Sequence, residues 1–192
     1  MGHGTFSGEP ETVWLTEKGA DDRKMRILRD LSFTDPSSQI WHAPAGSIVD
    51  GASIPRALWT VVGSPFTGDY RRASVVHDVA CDDAGGDKAK RRAADRMFFH
   101  ACRAGGCSVR QAIVLYLGVR IGAAAGEVAS WQAARSIATA GPRISRTADE
   151  ARVEADFEAM AQRVLASGET DDPLELERRA DEALAALLGT SL

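Results

Sequence analysis

A chain of 192 residues is long enough for one sizeable core with a small appendage. Its 44% hydrophobic and 26% charged content is ordinary for a globular protein, and a net charge of −4 argues against a dedicated nucleic-acid binder, which carries a basic stripe. The charge is uneven: residues 146–192 hold 5 Lys and Arg against 12 Asp and Glu, a balance of −7, leaving the first 145 residues mildly basic.

Residues 1–10 read as a polar, glycine-containing arm. Residues 11–16 and 25–33 have the alternating, β-branched character of strands, separated by the turn-prone Lys18-Gly19-Ala20-Asp21. Residues 39–42 and 47–49 add short strands around Pro44-Ala45-Gly46, so a small antiparallel sheet is expected. Asp50-Gly51-Ala52-Ser53-Ile54-Pro55 then breaks the chain, with Ser53 or Ile54 near a helix cap and Pro55 in the first turn. A short helix is expected over 55–62. Longer helices are expected over 68–82, 88–104 and 108–125, and a shorter one over 127–137. Residues 147–166 and 173–188 have helical periodicity with thin apolar stripes on an acidic background. The resulting class is α+β: an N-terminal antiparallel sheet, a mainly helical core containing an antiparallel hairpin, and a C-terminal helical appendage. The expected division is an arm over 1–10, a single core over 11–140 and an acidic appendage over 146–192.

Cys81, Cys102 and Cys107 are odd in number and lack CxxC spacing, which fits a reducing compartment better than a disulfide framework. The opening residues lack the basic-then-apolar layout of a signal peptide. The most apolar stretch, 109–128, is interrupted by Arg110, Arg120 and Glu127 and does not read as a membrane span. The expectation is a cytoplasmic protein, or one released or delivered without a classical signal.

The chemistry concentrates in the hairpin expected over 68–104. Its connection is centred between Gly85 and Gly86, with His77 eight to nine residues before that centre and Asp95 nine to ten after it. Residues equally far from the turn of an antiparallel hairpin lie level, so His77 and Asp95 are expected to meet. Their faces agree: Asp95 shares one with Arg91, Phe98 and Phe99, and His77 shares one with Tyr70, Ala73, Ser74 and Cys81. A carboxylate beside aromatic rings needs a hydrogen-bond partner, and an imidazole N–H is a suitable one. Such a pair orients the ring and leaves its other nitrogen free to take a proton from water. Asp78, turned about 100° from His77, faces elsewhere and offers oxygen to a hard cation, with Asp50, Gly51 and Ala52 of the preceding loop as further ligands. The same pair also serves as a purely structural contact, and exposure of the second ring nitrogen discriminates the two readings.

Two family resemblances bear on this hairpin. The runs Pro44-Ala45-Gly46-Ser47-Ile48-Val49-Asp50-Gly51-Ala52-Ser53-Ile54-Pro55-Arg56, Ala73-Ser74-Val75-Val76-His77-Asp78, Ala94-Asp95-Arg96-Met97-Phe98 and Tyr116-Leu117-Gly118-Val119-Arg120 resemble the domain-of-unknown-function family 1353, found in tailed phages, prophages and bacterial genomes. That likeness covers about residues 25–125 and implies no particular activity. His77-Asp78 followed by Asp95-Arg96 is also similar to the two-helix pattern of the secreted phospholipase A2 superfamily. This second resemblance implies His77 as general base, Asp78 as calcium ligand and Asp95 as the carboxylate that orients the base. The chain departs from that pattern in three ways. Cys81 stands where the superfamily has Tyr, the disulfide framework is missing, and only the Asp50–Ser53 turn replaces the glycine-rich calcium loop.

Other chemistries have less support. A transition-metal phosphohydrolase built on His77-Asp78 needs further ligands, and only His3, His42 and His100 remain. Cys102 and Cys107 read as buried thiols, and neither a GxSxG elbow nor a phosphate-binding loop occurs. Trp41, Trp59, Phe98 and Phe99 read as core, and Trp59, on the apolar helix beside the Asp50 loop, is the one to watch as a place for a lipid chain if the substrate has one. The expected function is a calcium-assisted hydrolase of phospholipid esters. The alternative is a non-catalytic phage or prophage protein whose acidic appendage binds a protein partner.

Overall fold

The computed structural model describes residues 2–16, 24–51, 54–55, 58, 67–124 and 148–188. The α+β class is observed, as two antiparallel sheets followed, among the described residues, by five helices. Strands β1 (Thr5–Phe6), β4 (Leu31–Thr34) and β5 (Ile40–Ala43) form one sheet in the order β1-β4-β5. Strands β2 (Thr12–Trp14), β3 (Met25–Ile27) and β6 (Ile48–Val49) form the other in the order β2-β3-β6.

Alternation decides which face of each strand is covered. Met25 and Ile27 are buried while Arg26 between them is exposed, and Leu31 and Phe33 are buried with Ser32 and Thr34 between and after them. The run expected as one strand over 25–33 is divided at Leu28-Arg29-Asp30. The reason is local: the Asp30 carboxylate accepts the N–H of Ala45 at 2.8 Å, which turns the chain there. Residues 5–6 lie in the stretch that reads as a polar arm, yet they pair with Thr34 and Phe33, and the ring of Phe6 lies 4.8 Å from that of Phe33. One aromatic in a glycine-rich segment is too little pattern to mark a strand. Asp35 holds the β4–β5 turn by accepting the N–H groups of Ser37 and Gln39 and the indole N–H of Trp41.

Helices α1 (Arg71–Ala84) and α2 (Lys88–Gly105) form the antiparallel hairpin. Asp87 caps α2 by accepting the N–H groups of Ala89 and Lys90 at 2.9 and 3.1 Å. The far end of α2 closes on Gly106 in the left-handed region, with the N–H of Cys107 donating to the carbonyl of Cys102. Between them, α1 and α2 bury Val75, Val76, Val79, Ala94, Met97, Phe98 and Phe99, and α1 lies on β4, β5 and β6.

The chain gathers into two compact units. One comprises Met1–Ala52 and Pro65–Ser108; the other comprises Ser53–Ser64 and Val109–Leu192. In the second, α3 (Val109–Ala124) packs with α4 (Ala148–Ala166) and α5 (Pro173–Leu188). The thin stripes read from the sequence are covered there: Val153, Phe157, Met160 and Val164 on α4, and Leu176, Ala180 and Ala183 on α5, are all buried. An ion pair of 2.6 Å between Arg120 of α3 and Asp181 of α5 ties the acidic hairpin to this unit. Among the described residues, no helix is long and apolar enough to cross a membrane. The short helix expected over 55–62 with Trp59, the turn at Lys18 to Asp21 and the helix expected over 127–137 fall largely outside the described residues.

Gly105 marks the tightest approach in the first unit, since a Cβ there would lie 2.2 Å from the backbone oxygen of Asp69. Relief requires backbone movement rather than a rotamer change. Gly105→Ala is therefore expected to destabilise the fold by about 1–3 kcal/mol in denaturant titration. Gly86→Ala in the hairpin turn, where a Cβ meets nothing within 4 Å, is expected to stay within about 0.5 kcal/mol of the parent. Equal behaviour of the two variants would refute this account.

Candidate functional site

The hairpin brings His77 and Asp95 together as their spacing predicts. His77 Nε2 lies 2.9 Å from Asp95 Oδ1, and both side chains are 0% exposed. A fully buried carboxylate is costly unless it is paired, and His77 and Arg91 both attend this one. His77 bonds it from α1, Arg91 places Nε 3.5 Å from the same oxygen from one turn earlier on α2, and the His77 ring itself stacks 4.7 Å from Phe98. With Asp95 accepting, Nε2 carries the ring proton and Nδ1 carries the lone pair. Burial lowers the pKa of His77 against the opposing pull of Asp95, so the ring is held neutral.

Cys81 is the ring's other polar neighbour, its Sγ 3.7 Å from Nδ1 and 3.4 Å from Nε2. It follows His77 by four residues, on the same face of α1, and is half-buried. Burial pushes its thiol up to about 12, so it stays protonated at neutral pH and is a weak donor toward the ring. Ligand atoms of His77, Cys81 and Asp95 all lie within 4.8 Å of one another. Ser74 Oγ, one turn before His77, and Arg91 Nε and Nη2 are buried without a hydrogen-bond partner among the described residues.

Asp78 does meet the loop at Asp50 and Gly51. Its Oδ2 accepts the N–H of Asp50 at 2.7 Å and of Gly51 at 3.1 Å, so the loop turns its N–H groups, not its carbonyls, toward this carboxylate. Burial comes first and the charge of Asp50 second in raising the Asp78 pKa from 3.8 to about 8, against the two N–H groups that lower it. Asp82 is raised as well, by burial and then by Asp50. Asp50, Asp78 and Asp82 thus repel one another beside the loop. Ala52, the remaining expected ligand, lies outside the described residues.

Two members of this neighbourhood, Cys81 and Arg91, share the faces of His77 and Asp95 in the sequence, and neither is expected there as a contact of the pair. The signal was present in the spacing: each stands one helical turn from its partner, at i+4 and i−4. Nothing in composition says that they touch the pair rather than solvent.

Residues 25–119, which contain every described member of this site, match the model of a protein family of unknown function, DUF1353. The chain is also similar to two uncharacterized proteins of Sinorhizobium fredii (strain NBRC 101917 / NGR234). One, y4jT, is 39% identical over 119 residues, which is 60% of this chain and 33% of that protein. The other, y4iH, is 39% identical over 62 residues, 32% of this chain and 26% of that protein. The chain thus spans a third or less of the length of these curated relatives. No solved structure matches it.

The Asp78 clamp generates a pH dependence with a definite sign. Its folded pKa, near 8, stands above the ordinary 3.8, so the folded state binds the extra proton between those values. This contribution to stability is fully present below about pH 4 and is lost as pH rises through about 8. Asp78→Asn keeps an oxygen acceptor for the two N–H groups and cannot ionise. Urea unfolding at stepped pH with chelator present should show the parent losing stability relative to Asp78→Asn across that window. A constant difference between the two proteins would rule the assignment out.

Proposed function

We propose that the α1–α2 hairpin is the centre of an ester hydrolase acting by water attack, with phospholipid esters as the substrate class. The observation that supports this reading most is the His77 Nε2 to Asp95 Oδ1 bond of 2.9 Å, which holds the ring in the tautomer whose Nδ1 carries the lone pair. The substrate class rests on the similarity of His77-Asp78 and Asp95-Arg96 to the phospholipase A2 pattern.

In this reading His77 Nδ1 takes a proton from water as the oxygen adds to the ester carbonyl, and the ring then returns that proton to the leaving alcohol. Asp95 keeps the ring in the required tautomer and favours its transient positive charge. With the ring 0% exposed, water reaches Nδ1 only when the groups around it move, Cys81 Sγ at 3.7 Å among them. The donor set beside the loop suits a hard cation: the carboxylates of Asp50, Asp78 and Asp82 repel one another, and calcium would be held by the carboxylates of Asp78 and Asp50. When bound, such an ion polarises the ester carbonyl. Asp78 would use Oδ1 for it, because Oδ2 already accepts two N–H groups.

A second reading is favoured by a specific observation, the complete burial of the His77 ring. Here the dyad is a structural pin, and the protein is a phage or prophage interaction module. Its partner surface would be the acidic α4–α5 hairpin, where Leu174 is 64% exposed.

The deciding measurement is fatty-acid release from mixed phospholipid vesicles by the folded protein, with calcium and with chelator. Calcium-dependent activity that falls about 10²–10⁴-fold in His77→Ala, and by about tenfold or more in Asp95→Asn, is the expected outcome. Folded parent protein without activity on any lipid class would leave the pin as the function of the pair.

A further inference from the structure

We propose that His77, Cys81 and Asp95 form a binding site for a borderline-soft divalent metal of the zinc type, distinct from the hard-cation reading of Asp78 and Asp50. This inference does not rest on the hydrolase reading, because metal uptake is measured without substrate.

The geometry comes first. His77 Nε2 lies 2.9 Å from Asp95 Oδ1 and 3.4 Å from Cys81 Sγ, and the three donors fit within 4.8 Å of one another. Zinc takes nitrogen at about 2.0–2.1 Å, sulfur at about 2.3 Å and carboxylate oxygen at about 2.0–2.2 Å, in a tetrahedron. Those lengths separate nitrogen from oxygen by about 3.4 Å and nitrogen from sulfur by about 3.5 Å. The nitrogen–oxygen edge therefore opens by about half an ångström, the nitrogen–sulfur edge is already matched, and the sulfur–oxygen edge, within 4.8 Å in the protein, closes toward about 3.6 Å by side-chain rotation of Cys81. Two ligands stand at i and i+4 on α1 and the third comes from the facing helix, so the backbone already supplies the spread.

The donor chemistry selects the ion. Calcium and magnesium take oxygen ligands and do not select a thiol and an imidazole, whereas an N, S and O set suits zinc. The proton balance is simple. Cys81 gives its thiol proton to solvent as the thiolate binds, and the imidazole moves its own proton from Nε2 to Nδ1, so one proton leaves per ion bound. Three protein ligands leave a fourth position for water. Arg91, whose Nε is 3.5 Å from Asp95 Oδ1, offsets part of the charge of the two anionic ligands. Ser74 Oγ, one turn before His77 on the same face of α1, is a buried oxygen without a hydrogen-bond partner among the described residues, and unfilled acceptor capacity of this kind points to a missing ion or water. Half-buried Cys81 is the corner by which an ion enters.

Occupancy would also separate His77 Nε2 from its hydrogen bond to Asp95, so metal binding and base catalysis at this ring exclude each other. Zinc would then act as an inhibitor of any hydrolysis that uses His77.

The test uses the full chain, freed of metal and titrated with Zn²⁺ or Co²⁺ alone. One equivalent of zinc per chain is expected by elemental analysis after dialysis, with no uptake of calcium by Cys81. Cobalt should give a sulfur-to-metal charge-transfer band. Cys81→Ser, nearly isosteric at a half-buried position, should abolish that band and weaken zinc binding by at least about tenfold, while circular dichroism remains that of the parent. Asp95→Asn should weaken zinc binding similarly; if that variant fails to fold, Cys81→Ser alone decides. Folded parent that takes up neither ion at equimolar metal would overturn the proposal. So would a band that survives in Cys81→Ser, which would place the metal at Cys102 and Cys107 instead.

Discussion

The side chain on which the first unit turns is Asp95. A carboxylate with no exposed surface, set among Phe98, Phe99 and Met97, would cost several kcal/mol if left alone. His77 and Arg91 attend it, one across the hairpin and one along its own helix. Removing either partner leaves charge or polarity stranded in an apolar interior, so the two helices have one favourable register and the pair enforces it. The apolar packing of Val76, Val79 and Phe98 supplies the bulk of the attraction, and the polar contact supplies its alignment.

The next residue along α1 does a different task on a different side. His77 looks across to α2 while Asp78, about 100° around the helix, grips the loop after β6 through two backbone N–H groups. A single dipeptide therefore fastens one helix to the other and to the end of a sheet. The same two residues also divide the electrostatics: a neutral imidazole on one side, mutually repelling carboxylates on the other. One side offers nitrogen and sulfur in a dry setting, and the other offers oxygen at the edge of a loop.

Much of this was legible in the sequence. The glycine pair at the turn, the capping Asp87 and equal arm lengths were enough to place His77 level with Asp95, because helix geometry is local and regular. The strands were harder. Two- and three-residue strands carry too little alternation to reveal themselves, so β1 hid in a polar arm and the break at Leu28-Arg29-Asp30 hid in an apparent strand. The loop at Asp50 and Gly51 does lie against Asp78, yet sequence cannot say which backbone group points where. Carbonyl ligands were expected, and N–H donors face the carboxylate instead. Cys81 and Arg91 show the remaining limit, since helical spacing reports a shared face and not a shared contact. On α4 the spacing of Val153, Phe157, Met160 and Val164 was a true apolar stripe, thin because much of the remaining surface is charged.

The hairpin resembles a pair of calipers whose jaws are set by counting. Eight residues separate His77 from Gly85 on one arm, and eight separate Asp87 from Asp95 on the other. An insertion at the exposed turn lengthens only the hinge, which a loop absorbs at small entropic cost. An insertion of one residue within either arm rotates one jaw by about 100° and slides it about 1.5 Å, carrying a charge out of its socket. Length variation in this protein is therefore tolerable at the exposed tip and forbidden along the buried arms.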